Sequence, residues 1–212
     1  MPDAAEPPED LREELRALGL DEARLADAIR FRRLLEVGNE RMNLVGANSL
    51  ADFWRRHFLD SAQLLRIAPS ARHWADLGAG AGLPGVVLAI FLKGEPGAEI
   101  HLVDSMTKRC VFLEEVVRTL GLPARVHNAR AEALSLKVDI VAARACAPLT
   151  RLLGFARPSL TGRTRGLFLK GAEVDSELAE ARKSWRFKVT SHPSLSDPRG
   201  RVLEITELAR GH

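Results

Sequence analysis

Trp74-Ala75-Asp76-Leu77-Gly78-Ala79-Gly80-Ala81-Gly82-Leu83-Pro84-Gly85 reads as a strand, a glycine turn and the start of a helix. The apolar run passes through an acid at Asp76. Glycines at 78, 80 and 82 admit positive φ and remove the Cβ that would keep a ligand off the backbone. Pro84 suits the first turn of a helix from Gly85 to Leu92. Further on, the apolar strand Glu99-Ile100-His101-Leu102-Val103 ends in Asp104, about twenty residues past the turn, where doubly wound folds bind both hydroxyls of a ribose. These features describe half of a nucleoside-binding site.

Gly80 to Gly85 also satisfies the dinucleotide fingerprint G-x-G-x-x-G, so a nicotinamide or flavin has to be weighed. A carboxylate at Asp76 would face a pyrophosphate across the turn and repel it. S-adenosylmethionine carries an ammonium and a sulfonium and no phosphate, so the same acid attracts it. The combination of Asp76, the three glycines and Asp104 favours a methyltransferase. An NAD-linked oxidoreductase, or a turn that only packs helix on sheet, remains as an alternative.

Outward from this stretch the chain divides into three. Residues 1–8 are expected to be disordered, 9–68 to form a helical extension and 69–212 the cofactor domain. In the extension, apolar positions recur at helical spacing, Asp21 and Ser49 are candidate N-caps, and Gly38-Asn39 is expected to separate two helices. From His73 onward, short apolar runs predict strands near 73–77, 99–103, 124–128, 138–143, 165–170, 186–191 and 201–207. A helix over Thr107–Leu120 is closed by Gly121, with Val111, Phe112, Val116, Val117 and Leu120 on its buried side. The last two strands are joined by a segment too short for a crossover, so they pair antiparallel. The expected fold is α/β: a Rossmann-like class I S-adenosylmethionine-dependent methyltransferase fold with a seven-stranded, mostly parallel sheet, an antiparallel terminal hairpin and the N-terminal extension.

Composition sets wider bounds. Of 212 residues, 46% are hydrophobic, as in an ordinary globular core. No run approaches a membrane span, and the acidic, Pro-rich first residues do not resemble a signal peptide, so a cytoplasmic protein is expected. Cys110 and Cys146 lack the paired spacing of a metal or redox site and read as buried thiols; no metal is expected. A net charge of +3 is compatible with nucleic acid without requiring it. Arg32, Arg33, Arg41, Arg55 and Arg56 form either an RNA-facing patch or a solvated helix face. No exposed apolar heptad is seen, so a monomer is expected.

Further motifs carry a family resemblance. They are Asn39-Glu40-Arg41-Met42-Asn43-Leu44, Arg56-His57-Phe58-Leu59-Asp60-Ser61, the glycine stretch, Val103-Asp104-Ser105 with Lys108-Arg109, Arg130-Ala131-Glu132, Ala143-Arg144-Ala145-Cys146-Ala147-Pro148-Leu149 and Leu169-Lys170-Gly171. With them the chain resembles the RsmG (GidB) family of bacterial 16S ribosomal RNA guanine-N7 methyltransferases. The resemblance implies S-adenosyl-L-methionine as cofactor and 16S rRNA or the small ribosomal subunit as partner. It implies that Gly78 and Leu83 contact the cofactor, Asp104 its ribose, Ala131 and Glu132 its adenine, and that Arg144 lies beside the reaction centre. Asp76, Gly80 and Gly82 complete the expected cofactor set. The chain departs from the family pattern at Gly38, where a tryptophan is usual, and at Val202, within Arg201-Val202-Leu203, where a histidine is usual.

The base atom is narrowed by what is missing. Methylation of an exocyclic amine uses an Asn/Asp-Pro-Pro-aromatic loop, and here the fourth strand runs into Arg144-Ala145-Cys146-Ala147-Pro148 in a chain without tyrosine. Transfer to a pyrimidine C5 needs a cysteine nucleophile, normally after proline, whereas Cys146 follows alanine. Guanine N7 fits what remains, because its lone pair carries no proton and the task is placement. Arg144 and Lys170 are the candidate holders of the guanine or a flanking phosphate. His57 and Asp60, three apart on a helix, are expected to form a polar latch between the extension and the cofactor domain. A small-molecule methyltransferase and a non-catalytic RNA-binding module are the other readings.

Overall fold

The computed structural model describes residues 6–211, apart from the side chains at 47 and 48. The extension runs through α1 (Glu9–Ala17), α2 (Glu22–Met42) and α3 (Ala47–Leu50), a π-helical turn (Trp54–Leu59), α4 (Asp60–Ala62) and α5 (Leu64–Ile67). Then follow β1 (His73–Leu77), α6 (Gly85–Phe91), β2 (Glu99–Asp104), α7 (Thr107–Leu120), β3 (Ala124–Asn128), a 3-10 turn (Ala131–Ala133) and β4 (Ile140–Arg144). The chain ends with α8 (Leu149–Ala156), β5 (Arg165–Lys170), α9 (Val174–Ala181), β6 (Trp185–Pro193) and β7 (Arg201–Arg210). The sheet has the order β3-β2-β1-β4-β5-β7-β6. Strands β1 to β5 are parallel, and β7 pairs antiparallel with both β5 and β6. The sheet order reverses at β1, whose neighbours are β2 and β4, and open α/β sheets bind ligands in the crevice at such a point.

Alternation along β1 sorts its side chains. Trp74 joins the core that α2, α6, α7 and the extension build on one face, and Ala75 and Leu77 join the core under α8 and α9 on the other. The extension shares the first core through Leu11, Leu15, Phe31 and Phe58, with the Phe58 ring centroid 5.6 Å from that of Phe91 in α6.

Several local expectations need correction. Gly38-Asn39 does not break the helix. Gly38 is buried inside α2, where a Cβ would lie 2.8 Å from the Phe112 ring of α7, so the glycine lets two helices meet. The helix ends instead at Asn43, with φ of 48°, and the Asn39 side chain accepts from Val45 N–H at 2.8 Å. Asp21 does cap α2, accepting from Arg24 N–H at 2.8 Å, but Ser49 lies inside α3, with Gly46 at the cap position. Val111 is 58% exposed, because α7 turns Phe112, Leu113 and Val116 to the core. The disorder expected over 1–8 falls outside the described residues at 1–5. Pro7 is buried, and its carbonyl accepts from Arg12 Nε at 3.0 Å.

Candidate active site

The glycine turn is fixed by backbone contacts with the end of β2. Gly78 and Ala79 N–H donate to the Val103 carbonyl at 2.8 and 2.9 Å, and Gly80 N–H donates to Asp104 Oδ2 at 3.0 Å. Gly78, Gly80 and Gly82 have φ of 70°, 53° and 88°, the left-handed region that glycine occupies without penalty. A Cβ at Gly78 would lie 2.5 Å from Cys146 Sγ, so the bare backbone of the turn packs directly on the Cys146 side chain at the β4 exit. At Gly82 it would meet Val86, and Leu83 is buried; these two seat the turn on α6. Asp104 Oδ1 accepts from Met106 N–H at 2.8 Å, and Arg109 Nη1 stands 3.6 Å from Oδ2. Each carboxylate oxygen keeps a second lone-pair site, and the side chain is 4% exposed. Ala131 and the exposed Glu132 follow β3 on the same edge, since Asn128 is in register with Asp104 and Ala129 N–H donates to the Asp104 carbonyl at 3.0 Å. Bare glycine backbone beside a carboxylate with spare acceptors, at the sheet's reversal point, fits an adenosine-type cofactor.

Asp76 is placed differently from expectation. It is 0% exposed and points beneath α6, where Oδ2 accepts from Gly85 N–H at 2.8 Å and Oδ1 has no partner among the described residues. The alternation that turns Trp74 to the α6 face turns Asp76 there too, two residues on, a signal the sequence held. Burial raises its pKa to about 7, against the Gly85 N–H and the Arg144 charge, which lower it. The acid therefore supports the turn from below and does not face a ligand across it.

A cleft of about 690 Å³ opens over the ends of β4 and β5, between the extension and the β6–β7 loop. Arg144, at the end of β4, crosses to the extension. Its Nη1 donates to the Arg56 carbonyl at 2.8 Å and to Asp60 Oδ2 at 3.1 Å, and its Nη2 reaches His57 Nδ1 at 2.6 Å. A guanidinium only donates, so Nδ1 is the acceptor and the ring proton sits on Nε2, 3.0 Å from Ser49 Oγ. Burial, then the Arg144 and Arg56 charges, lower the His57 pKa to about 4. The latch expected of His57 and Asp60 is present, with Arg144 as its bolt; three of the five N–H donors of its guanidinium are used there, and the residue also lines the cleft. Lys170 is braced too, and it also lines the cleft: its Nζ donates to Glu177 Oε2 at 2.7 Å and to the Ala147 carbonyl at 2.9 Å. Of the five arginines weighed on the extension, Arg56 lines the cleft. Arg32 is buried against Glu36 and the Phe53 ring, and Arg55 pairs with Asp10.

Comparison with known proteins decides the family. The profile described as rRNA small subunit methyltransferase G (GidB) matches residues 24–202. Curated relatives carry the name Ribosomal RNA small subunit methyltransferase G. That of Caulobacter vibrioides is 60% identical over 193 residues, 91% of this chain and 89% of the relative. That of Parvibaculum lavamentivorans is 49% identical over 182 residues, 84% of this chain and 80% of the relative. The chain belongs to the rRNA small subunit methyltransferase G family. Among solved structures, the fold is similar to that of the SAH-bound Podospora anserina methyltransferase PaMTH1, with a TM-score of 0.60, 12% identity, and coverage of 93% of this chain and 95% of that one.

The members of this family methylate small-subunit rRNA, and the cleft holds cations that the sequence reading passed over. Arg199 and Arg201, in the loop and at the start of β7, line it beside Arg56. The loop's own signal, Ser194-Leu195-Ser196-Asp197-Pro198-Arg199-Gly200, reads only as a turn, and no local pattern shows that it closes against the extension. Among the described residues no cluster of His, Cys, Asp or Glu could hold a metal ion, and no helix is long and apolar enough to cross a membrane.

Proposed function

We propose that this protein transfers the methyl group of S-adenosyl-L-methionine to N7 of a guanine in 16S rRNA. The observation that carries the reading is that three protonatable groups lining the cleft over β4 and β5 are already bonded to cations. His57 and Asp60 are both held by Arg144, and Glu177 is held by Lys170. An amine or hydroxyl acceptor would need a base to take its proton, whereas guanine N7 offers a lone pair and no proton. The thiol at Cys146 has its pKa raised by burial and by Asp76 and Asp104, so it stays protonated and a covalent route is disfavoured.

Gly78 and Gly80, with Gly82 and Leu83 behind them, form the bare backbone cradle that would hold the cofactor. Asp104 would accept from its ribose, and Ala131 and Glu132 would border its adenine. When bound, the cofactor supplies an electrophilic methyl on a positively charged sulfur. Arg144 and Lys170 act as struts that hold the cleft walls at fixed separation, and Arg56, Arg199 and Arg201 offer guanidinium groups to an RNA backbone. Orientation is the chain's main contribution, an effect that supplies roughly 7 to 11 kcal/mol in favourable cases. The test is transfer of labelled methyl to unmethylated small-subunit rRNA, followed by cleavage mapping at 7-methylguanine. Label found on an exocyclic amine or a pyrimidine carbon would overturn the N7 assignment, and small-subunit rRNA left unlabelled throughout would overturn the substrate.

A further inference from the structure

Gln63 lies in the extension between α4 and α5. It is 3% exposed and stands outside both the glycine crevice and the cleft lining, yet both ends of its amide are used. Nε2 donates to the Asp60 carbonyl at 2.9 Å and to Asp60 Oδ1 at 3.0 Å, with Ser194 Oγ at 3.4 Å; Oε1 accepts from Leu195 N–H at 2.9 Å. From the other side, Ser196 Oγ donates to Asp60 Oδ1 at 2.5 Å and lies 3.0 Å from Ser194 Oγ. The segment 194–200 has no helix or strand of its own and forms one wall of the cleft. It hangs from the extension through this amide and the carboxylate beside it.

A loop held in one conformation binds with its full intrinsic affinity, whereas a released loop binds only through the fraction of time it is competent. We propose that Gln63 is a positioning residue for rRNA recognition: it holds 194–200 as a preformed wall, so that RNA meets Arg199 and the loop backbone already in place. The inference rests on the reading of the cleft as the rRNA site.

The test is methyl-transfer kinetics on unmethylated small-subunit rRNA, with S-adenosylhomocysteine titrations alongside. In Gln63→Leu the KM for RNA is expected to rise about tenfold, the effect of releasing one or two hydrogen bonds that order the loop, with kcat and S-adenosylhomocysteine affinity unchanged. Gln63→Glu adds a reversible readout. Its carboxyl would face Asp60, with Arg66, His192 and Glu204 lining the same groove and Arg144 and Asp197 adding to the charge around Asp60 itself. Ionised, it repels Asp60 and KM is high; protonated as pH is lowered, it donates as the amide does and KM falls back toward the wild-type value, while Gln63→Leu stays high. An unchanged KM in Gln63→Leu would overturn the proposal. If Gln63→Leu does not fold, Ser194→Ala releases the loop end alone and is expected to raise KM about threefold; no rise overturns the proposal equally. Absence of transfer by the wild-type protein would instead refute the substrate reading above.

Discussion

The two halves of the site are built from different materials. The glycine crevice is made of backbone from neighbouring stretches, with Gly78 to Gly80 bonded to Val103 and Asp104. The cleft is made of side chains that meet across 84 positions at Arg144 and Asp60, and across 136 at Ser196 and Asp60. A backbone site tolerates change at most side chains and fails where a Cβ is added. A side-chain site fails wherever one partner is removed, because the other is left buried and unsatisfied.

The largest effect is expected from Arg144→Ala, which strips Asp60 and His57 of their shared donor. Stability should fall by about 3 kcal/mol in a denaturant melt, and rRNA methylation should fall by about a hundredfold as the walls lose register. S-adenosylhomocysteine affinity of the folded fraction should hold within a few-fold, and an equal collapse of cofactor affinity would mean that the two halves are not independent. Gly78→Ala is the converse. Its φ of 70° and the 2.5 Å approach to Cys146 Sγ should weaken S-adenosylhomocysteine binding by about a hundredfold, from a left-handed penalty of about 1–2 kcal/mol plus overpacking of similar size. Adding Cys146→Ala should recover part of that loss by calorimetry, because it removes the overlap with the sulfur and leaves the φ penalty.

A smaller effect is expected in the pH dependence of stability, where the two halves slope in opposite directions. Asp76 has a folded pKa of about 7, raised from 3.8, so the folded state binds more protons and stability declines as pH rises through that window. His57 has a folded pKa of about 4, lowered from 6.5, so its contribution is full above 6.5 and is lost as pH falls toward 4. Denaturant midpoints of Asp76→Asn should therefore rise more steeply from pH 4 to 6.5 than those of the unmodified chain; an unchanged slope would mean that Asp76 does not titrate there. The smallest effect is Gly38→Ala. Better helix propensity, about 1 kcal/mol, opposes a contact at 2.8 Å with Phe112, so Tm should fall by only a few degrees, and Phe112→Leu should reverse the sign.

The crevice half was largely legible in the sequence, and the cleft half was not. Strands β1, β3 and β5 begin and end at the predicted residues, and α7 spans Thr107–Leu120 as read, because local periodicity and caps set them. The antiparallel pairing of β6 with β7 followed from the short connection between them. Gly38 was misread because its reason for being glycine, Phe112, is 74 positions away. The destination of Arg144 depends on a carboxylate brought close only by folding. Asp76 is the instructive case between these: counting by twos from Trp74 puts it on the α6 face, and that alternation, not its charge, decides where it points.

Placement of β7 between β5 and β6 has a consequence for synthesis. Arg201 comes into register beside Lys170, so the edge over which RNA would lie is finished only by the strand made after all its neighbours. A chain stopped before residue 201 would carry the glycine turn and β1 to β5 while still missing one bank of the channel. A domain generally folds as a unit, so on the function proposed above competence for RNA waits for the last strand to be made.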